Sequence, residues 1–170
     1  DVRVLEAREA PQSFHATLDA KRKLYRYVID NGRIADTFQR RFSHHVFAAL
    51  DAAAMHRAAQ ALKGRHDFHS FETEWPNRTS SVRTISRIAV SRMLNFVWID
   101  VEADGFLYNM VRSITGTLIL VGTGKWPEPR VGEVLRAEDR RAAGPTAPPQ
   151  GLFLVRAERG TRLAGLGRNR

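Results

Sequence analysis

Residues 96–124 read FVWIDVEADGFLYNMVRSITGTLILVGTG. The stretch begins with strict alternation. Val97, Ile99, Val101 and Ala103 fall on one side; Phe96, Trp98, Asp100 and Glu102 fall on the other. A period of two marks a half-buried strand. At Asp104-Gly105 the chain turns and the period changes. Leu107, Met110, Val111, Ile114, Leu118 and Val121 then recur at helical spacing and mark one buried face. Gly122 and Gly124 follow the helix, so they read as a C-terminal stop and not as a phosphate cradle.

Within this helix Arg112 points roughly opposite the apolar stripe, and its own side carries Gly116 and Ile119. A helix that is apolar on two sides is packed on two sides. An arginine in its first turn is therefore half-buried and needs an anionic partner. Two readings stand. Arg112 makes a structural salt bridge, or it holds a catalytic carboxylate or a phosphate.

Outward from this unit, residues 83–91 form a strand with Ile85, Ile88 and Val90, joined to the strand at 96–103 by a hairpin turn at Met93 to Asn95. Residues 22–30 are a further strand, with Tyr25, Tyr27 and Ile29 on one face and Leu24, Arg26 and Val28 on the other. Asp51 caps a helix over 52–63 whose stripe is Met55, Ala58, Ala59 and Leu62, closed by Gly64. Residues 65–81 read as a long polar loop with aromatic residues, of the kind that tends to be functional. A short helix is expected at 130–137, a rigid Ala/Gly/Pro connector at 142–151, and a central strand at 151–155. Val2 to Leu5 reads as a strand, and Phe14, Ala16 and Leu18 as an edge strand.

The order is strand, helix, strand, strand, helix, strand. That predicts an α+β fold: an antiparallel sheet with helices packed on one face, in the split βαβ or ferredoxin-like arrangement. One domain over 1–157 is expected, followed by a basic, mobile tail at 158–170. The N-terminus begins mid-pattern, which predicts a processed chain or a fragment.

Composition bounds the function. The 170 residues carry 27 Lys and Arg against 18 Asp and Glu, a net charge of +9, and no cysteine. Disulfides, thiolate metal sites and cysteine nucleophiles are excluded. No apolar run is long enough to span a membrane, and a cytoplasmic protein is expected. The charge, rich in arginine, points to nucleic acid as the partner. Lys21, Arg22, Lys23 and Arg26 interleave with Tyr25 and Tyr27. The rings either stack on bases or face the core. His66, Asp67 and His69 lack a third metal ligand of the usual kind, so no metal is assigned. Phe68 and Phe71 are expected to anchor that loop, with Asp67 and the histidines bonding backbone or substrate.

Several segments, taken in order, resemble the tRNA pseudouridine synthase A family. Lys23-Leu24-Tyr25-Arg26-Tyr27 is similar to its Lys/Arg-x-Tyr-Arg-Tyr strand, and Phe14-His15-Ala16 fits the lead-in. Leu62 to Phe71 resembles its Leu-x-Gly-x-His-Asp-Phe-x-x-Phe segment. Gly105 to Arg112, with Gly116 and Gly122, resembles its Gly-Phe-Leu-Tyr-x-Met-Val-Arg helix. Ala147 to Leu154 resembles its closing Ala-Pro-x-x-Gly-Leu-x-Leu strand.

The resemblance implies isomerisation of uridine to pseudouridine in the anticodon arm of tRNA, with a flipped-out nucleotide, no cofactor, and a homodimer. It implies that Arg112 pairs with the catalytic aspartate and that Tyr25 packs against the flipped uracil. It makes Tyr27, His66, Asp67, Phe68, Tyr108, Asn109, Leu152 and Leu154 candidate substrate-binding residues. The family's catalytic aspartate lies in an Arg-Thr-Asp-x-Gly-Val-His-Ala segment, which none of these 170 residues matches. These residues are therefore expected to form the C-terminal part of the enzyme, inactive in isolation. A non-catalytic RNA-binding module of the same family is the alternative.

Overall fold

The structure, a computed structural model, describes residues 2–7, 9–16, 19–73 and 80–159. Its elements run β1 (Ala20–Asp30), β2 (His44–His45), α1 (Ala52–Ala59), β3 (Gly64–Asp67), β4 (Val82–Met93), β5 (Phe96–Ala103), α2 (Met110–Gly122), α3 (Arg130–Ala137) and β6 (Leu152–Arg159). The long strands lie in the order β6-β1-β5-β4, each antiparallel to its neighbour. With α1 and α2 as the crossovers, this is the split βαβ, ferredoxin-like topology. Two short strands extend the open sheet. β3 pairs with the outer edge of β4, and β2 pairs in parallel with the last residues of β1, beside β6.

The alternation read from the sequence sets which face is covered. Val97, Ile99, Val101 and Ala103 are fully buried, and so are Tyr27 and Ile29 opposite them. α1 and α2 cover this face, with Met55, Ala59, Leu62, Met110, Ile114 and Leu118 completing the core. Each such aliphatic side chain, fully buried, contributes about 1.5–3 kcal/mol. Asp51 caps α1 by accepting from Ala54 N at 2.9 Å, as its position predicts.

α2 is buried almost all round, and its second covering is the segment 143–147, read from the sequence as a plain connector. Ala147 N donates to Arg112 O at 3.1 Å, and Gly144 N donates to Thr117 Oγ1 at 2.9 Å. The approach is backbone to backbone. A Cβ on Gly116 would lie 1.7 Å from the carbonyl oxygen of Pro145, and one on Gly144 would lie 2.8 Å from Thr117 Cα.

Several expectations need correction. Val2 to Leu5 is not a strand; all these residues are exposed and have no regular structure. Phe14 and Ala16 are not in a strand either, and Leu18 lies outside the described residues. The supposed loop at 65–81 begins as β3, because Gly64 to Asp67 find a free edge on β4; residues 74–79 lie outside the described residues. The helix expected over 52–63 is α-helical to Ala59 and closes as a tight 3-10 turn at Gln60–Leu62. The last strand is not central. Among the described residues β6 pairs only with β1, and so sits at the sheet edge. It runs to Arg159, past the boundary expected at 157, and the tail from 160 on lies outside the described residues.

β2 carries a titration that the fold makes costly. Burial, and then the neighbouring His45, hold the His44 imidazole below its ordinary value near 6.5. The folded state therefore binds its proton less readily than the unfolded state. Stability is full above the unfolded value and falls as pH drops below it. The unfolding midpoint should decline as pH falls through and below the ordinary imidazole value near 6.5, and His44→Gln should make that decline shallower. An unchanged slope in the variant would show that His44 does not contribute.

Candidate active site

The start of α2, Tyr27 in β1 and Ala147 in the middle of the 143–151 segment meet at Arg112. Its guanidinium is fixed by two neutral acceptors. Nε donates to the Ala147 carbonyl at 2.6 Å and Nη1 donates to Asn109 Oδ1 at 2.7 Å. A guanidinium has five N–H donors. Those of Nη2 and the second of Nη1 have no acceptor among the described residues.

No carboxylate reaches Arg112 among the described residues. The acids nearest in sequence are engaged elsewhere. Glu102 meets Arg22 at 3.3 Å and Arg156 at 3.0 Å, and Asp104 accepts from Thr84 N at 2.9 Å. The remaining described aspartates have local duties. Asp19, Asp36, Asp51, Asp67 and Asp139 each accept from a nearby backbone N–H. Buried Asp30 accepts from Gly32 N and Asp36 N. Asp100 takes both arms of Arg26, at 2.7 and 2.8 Å.

Arg26 shows what a satisfied arginine looks like in this protein. It forms a two-pronged pair with Asp100, and its guanidinium lies 4.3 Å from the centre of the Trp98 ring. Arg112 has neither arrangement. A half-buried guanidinium with only neutral partners keeps its charge unneutralised and attracts an anion.

Tyr25 and Tyr27 lie on the face of β1 that packs on the core beneath α2, but they differ in use. Tyr27 is fully buried, and its hydroxyl donates to the Pro148 carbonyl. Burial drives its phenol well above the ordinary range, against the pull of the Arg112 charge. Tyr27 is thus neutral and anchors the segment that holds Arg112. Tyr25 is half-buried, packed edge-on against Phe106 with ring centres 4.9 Å apart. Its hydroxyl has no hydrogen-bond partner among the described residues. Leu154 pairs across the strands with Tyr25, and Leu152 with Tyr27. Leu152 packs on the core and Leu154 is exposed.

Arg112, Tyr25, Tyr27, Asn109, Leu152 and Leu154 are therefore brought together. Tyr108 stands beside them, half exposed, at the mouth of α2. His66 and Asp67 are not brought to this group. They lie on β3, three strand spacings from β1, or roughly 14 Å across the sheet. His66 Nε2 meets Lys63 O, and Asp67 accepts from His69 N. Phe68 is fully buried against Phe71, as the anchoring role predicts. The segment after β3 does return to α2, where Thr73 N donates to Tyr108 O at 3.3 Å. Sequence reasoning missed Thr73 and the Ala147 carbonyl. The carbonyl carries no side-chain signal, and Thr73 follows the loop's aromatic residues without a pattern of its own.

A family model described as tRNA pseudouridine synthase matches residues 58–158, which include β3, β4, β5, α2 and most of β6. Proteins named tRNA pseudouridine synthase A are similar over most of the chain. That from Thermoanaerobacter sp. (strain X514) is 42% identical over 156 residues, covering 92% of this chain and 64% of the relative. That from Moorella thermoacetica is 45% identical over 158 residues, covering 93% and 64%. That from Acidiphilium cryptum is 48% identical over 155 residues, covering 91% and 61%. The chain thus spans a little under two thirds of the length of these relatives, matching their C-terminal part. With more than half of its residues matched by the family model and its arginine helix within the match, this chain belongs to the tRNA pseudouridine synthase family.

Proposed function

We propose that these residues form part of an enzyme that isomerises uridine to pseudouridine in the anticodon arm of tRNA. In this reading they supply the cation and one wall of the pocket, and the catalytic aspartate comes from a segment outside them. The observation that carries the reading is Arg112. It is half-buried and held by neutral acceptors, and no carboxylate among the described residues reaches its unused donors. An aspartate placed there is oriented by the guanidinium and kept ionised, because an adjacent cation lowers a carboxylate pKa by about 1–3 units.

The aspartate promotes cleavage of the bond between C1′ and N1. The freed uracil turns and rejoins C1′ through C5. The C5 proton leaves and N1 takes one up, so atoms balance without a co-reactant. Tyr25 packs on the flipped base, its ring steadied by Phe106. Leu152 and Leu154 wall the apolar side. Tyr108 frames the entrance, with Asn109 behind it at the Arg112 guanidinium, and Tyr27 supports the floor from within the core. His66 and Asp67 act on the substrate from farther along the RNA; Phe68, expected from the resemblance to bind substrate, is fully buried and serves instead to anchor their segment to the core. Exposed Arg40, Arg41, Arg65 and Arg87, which make no ion pair among the described residues, meet phosphate. No helix among the described residues is long and apolar enough to cross a membrane. Family resemblance supports a homodimer working in the cytoplasm.

The test is to incubate unmodified tRNA separately with the full-length protein and with the 170-residue chain, then map pseudouridine. The full-length protein should modify anticodon-arm uridines. The 170-residue chain should bind tRNA with an affinity that falls steeply with salt, yet form no pseudouridine. Turnover by the 170-residue chain would refute an aspartate supplied from elsewhere. Binding without turnover by the full-length protein would make it an RNA-binding module.

A further inference from the structure

The residue that aims Arg112 is itself in an unusual conformation. Asn109, directly before α2, has φ 59 and ψ 7, the left-handed region. Most residues with a Cβ pay about 1–2 kcal/mol to stay there; asparagine adopts it more readily because its short amide bonds locally. Here the amide does not cap the helix, although it stands at the capping position. Both of its ends are used elsewhere. Oδ1 accepts from Arg112 Nη1 at 2.7 Å, and Nδ2 donates to Thr73 Oγ1 at 2.9 Å.

The direction of this chain of bonds is fixed. Thr73 Oγ1 lies 3.5 Å from the Tyr108 carbonyl and donates towards it. Thr73 N donates to the same carbonyl at 3.3 Å. The threonine lone pairs are then left for the Asn109 N–H. An amide that gives its N–H to Thr73 must turn its oxygen to Arg112. If the amide flipped, it would set an NH2 group against the guanidinium, donor facing donor.

We propose that Asn109 is a positioning residue whose amide, polarised by Thr73, sets the direction in which Arg112 presents its unused donors. It acts through Arg112 and not on the nucleotide. Thr73 is the second member of the device. This inference rests on Arg112 being the partner of the catalytic carboxylate, as proposed above.

The experiment is a double-mutant cycle in the full-length enzyme on unmodified tRNA, read as single-turnover rate, tRNA affinity and unfolding midpoint. Asn109→Gly keeps the left-handed backbone and removes the amide; Thr73→Val keeps the shape and removes the hydroxyl. Each should lower the rate by about tenfold, with affinity unchanged within about twofold. In an Arg112→Ala background neither should lower the rate further, because coupled groups are non-additive. Equal losses in both backgrounds would mean a merely structural role and overturn the proposal. So would rates within about twofold of wild type for both variants, with Arg112→Ala still impaired; the reading of Arg112 would then survive alone. A normal rate for Arg112→Ala would sink that reading, and this inference with it.

Discussion

Arg112→Ala in the full-length enzyme should lower the rate of pseudouridine formation by about a hundredfold or more, while tRNA affinity stays within about threefold. Removing one preorganised charge-stabilising group from an active site costs about that much. The expectation follows from how the guanidinium is held. Its bonds to Ala147 and Asn109 fix its direction but leave its charge unneutralised. The pH profile should change too. Without the cation the partner carboxylate protonates at higher pH, so the acidic limb should move up by about one unit or more. Arg112→Lys keeps the charge and loses the fixed fork, so it should fall between wild type and alanine. Rate and affinity falling together would make Arg112 a phosphate contact.

Gly116→Ala should be among the most destabilising single changes in the protein, though it adds only one methyl group. The new Cβ would lie 1.7 Å from the Pro145 carbonyl oxygen and 2.9 Å from its carbon. Both atoms are backbone, so no side chain can turn aside. The 143–147 segment would have to lift from α2, losing the bonds from Ala147 N to Arg112 O and from Gly144 N to Thr117 Oγ1. Overpacking of this kind costs about 1–3 kcal/mol and occasionally more, and the backbone contact places this case at or above the upper end. Gly132→Ala is the matched control. It lies in the first turn of α3, where the added Cβ meets nothing closer than 3.4 Å, the far end of Arg136. Helix propensity should make it neutral or stabilising by up to about 1 kcal/mol. Denaturant midpoints of both variants check the pair. Similar midpoints would mean that the segment yields without cost.

Much of this molecule is legible in its residues because the main elements are periodic. The alternation of 96–103 gave the buried face of β5 residue by residue, and the helical stripe from Leu107 to Val121 gave the core side of α2. The inference that α2 is apolar on two sides because it is covered on two sides also holds. What covers the second side was not legible. Residues 143–147 pack through Gly144, a proline carbonyl and main-chain bonds, and main-chain bonding leaves no side-chain pattern to read. β3 and β2 were missed for a related reason. Each is a short strand that exists because a neighbouring edge is free, and not because its own residues alternate.

The site divides the same way. The sequence by itself placed a half-buried arginine near the start of a doubly covered helix, and left open whether its partner was structural or functional. Only the tertiary structure excluded the local partners. It pairs Glu102 with Arg22 and Arg156, gives Asp104 to a backbone amide, and spends Asp100 on Arg26. Pattern in a chain reports which way a side chain points. Which donor meets which acceptor depends on distances of an ångström between segments far apart in sequence, and those exist only after the sheet and helices have packed.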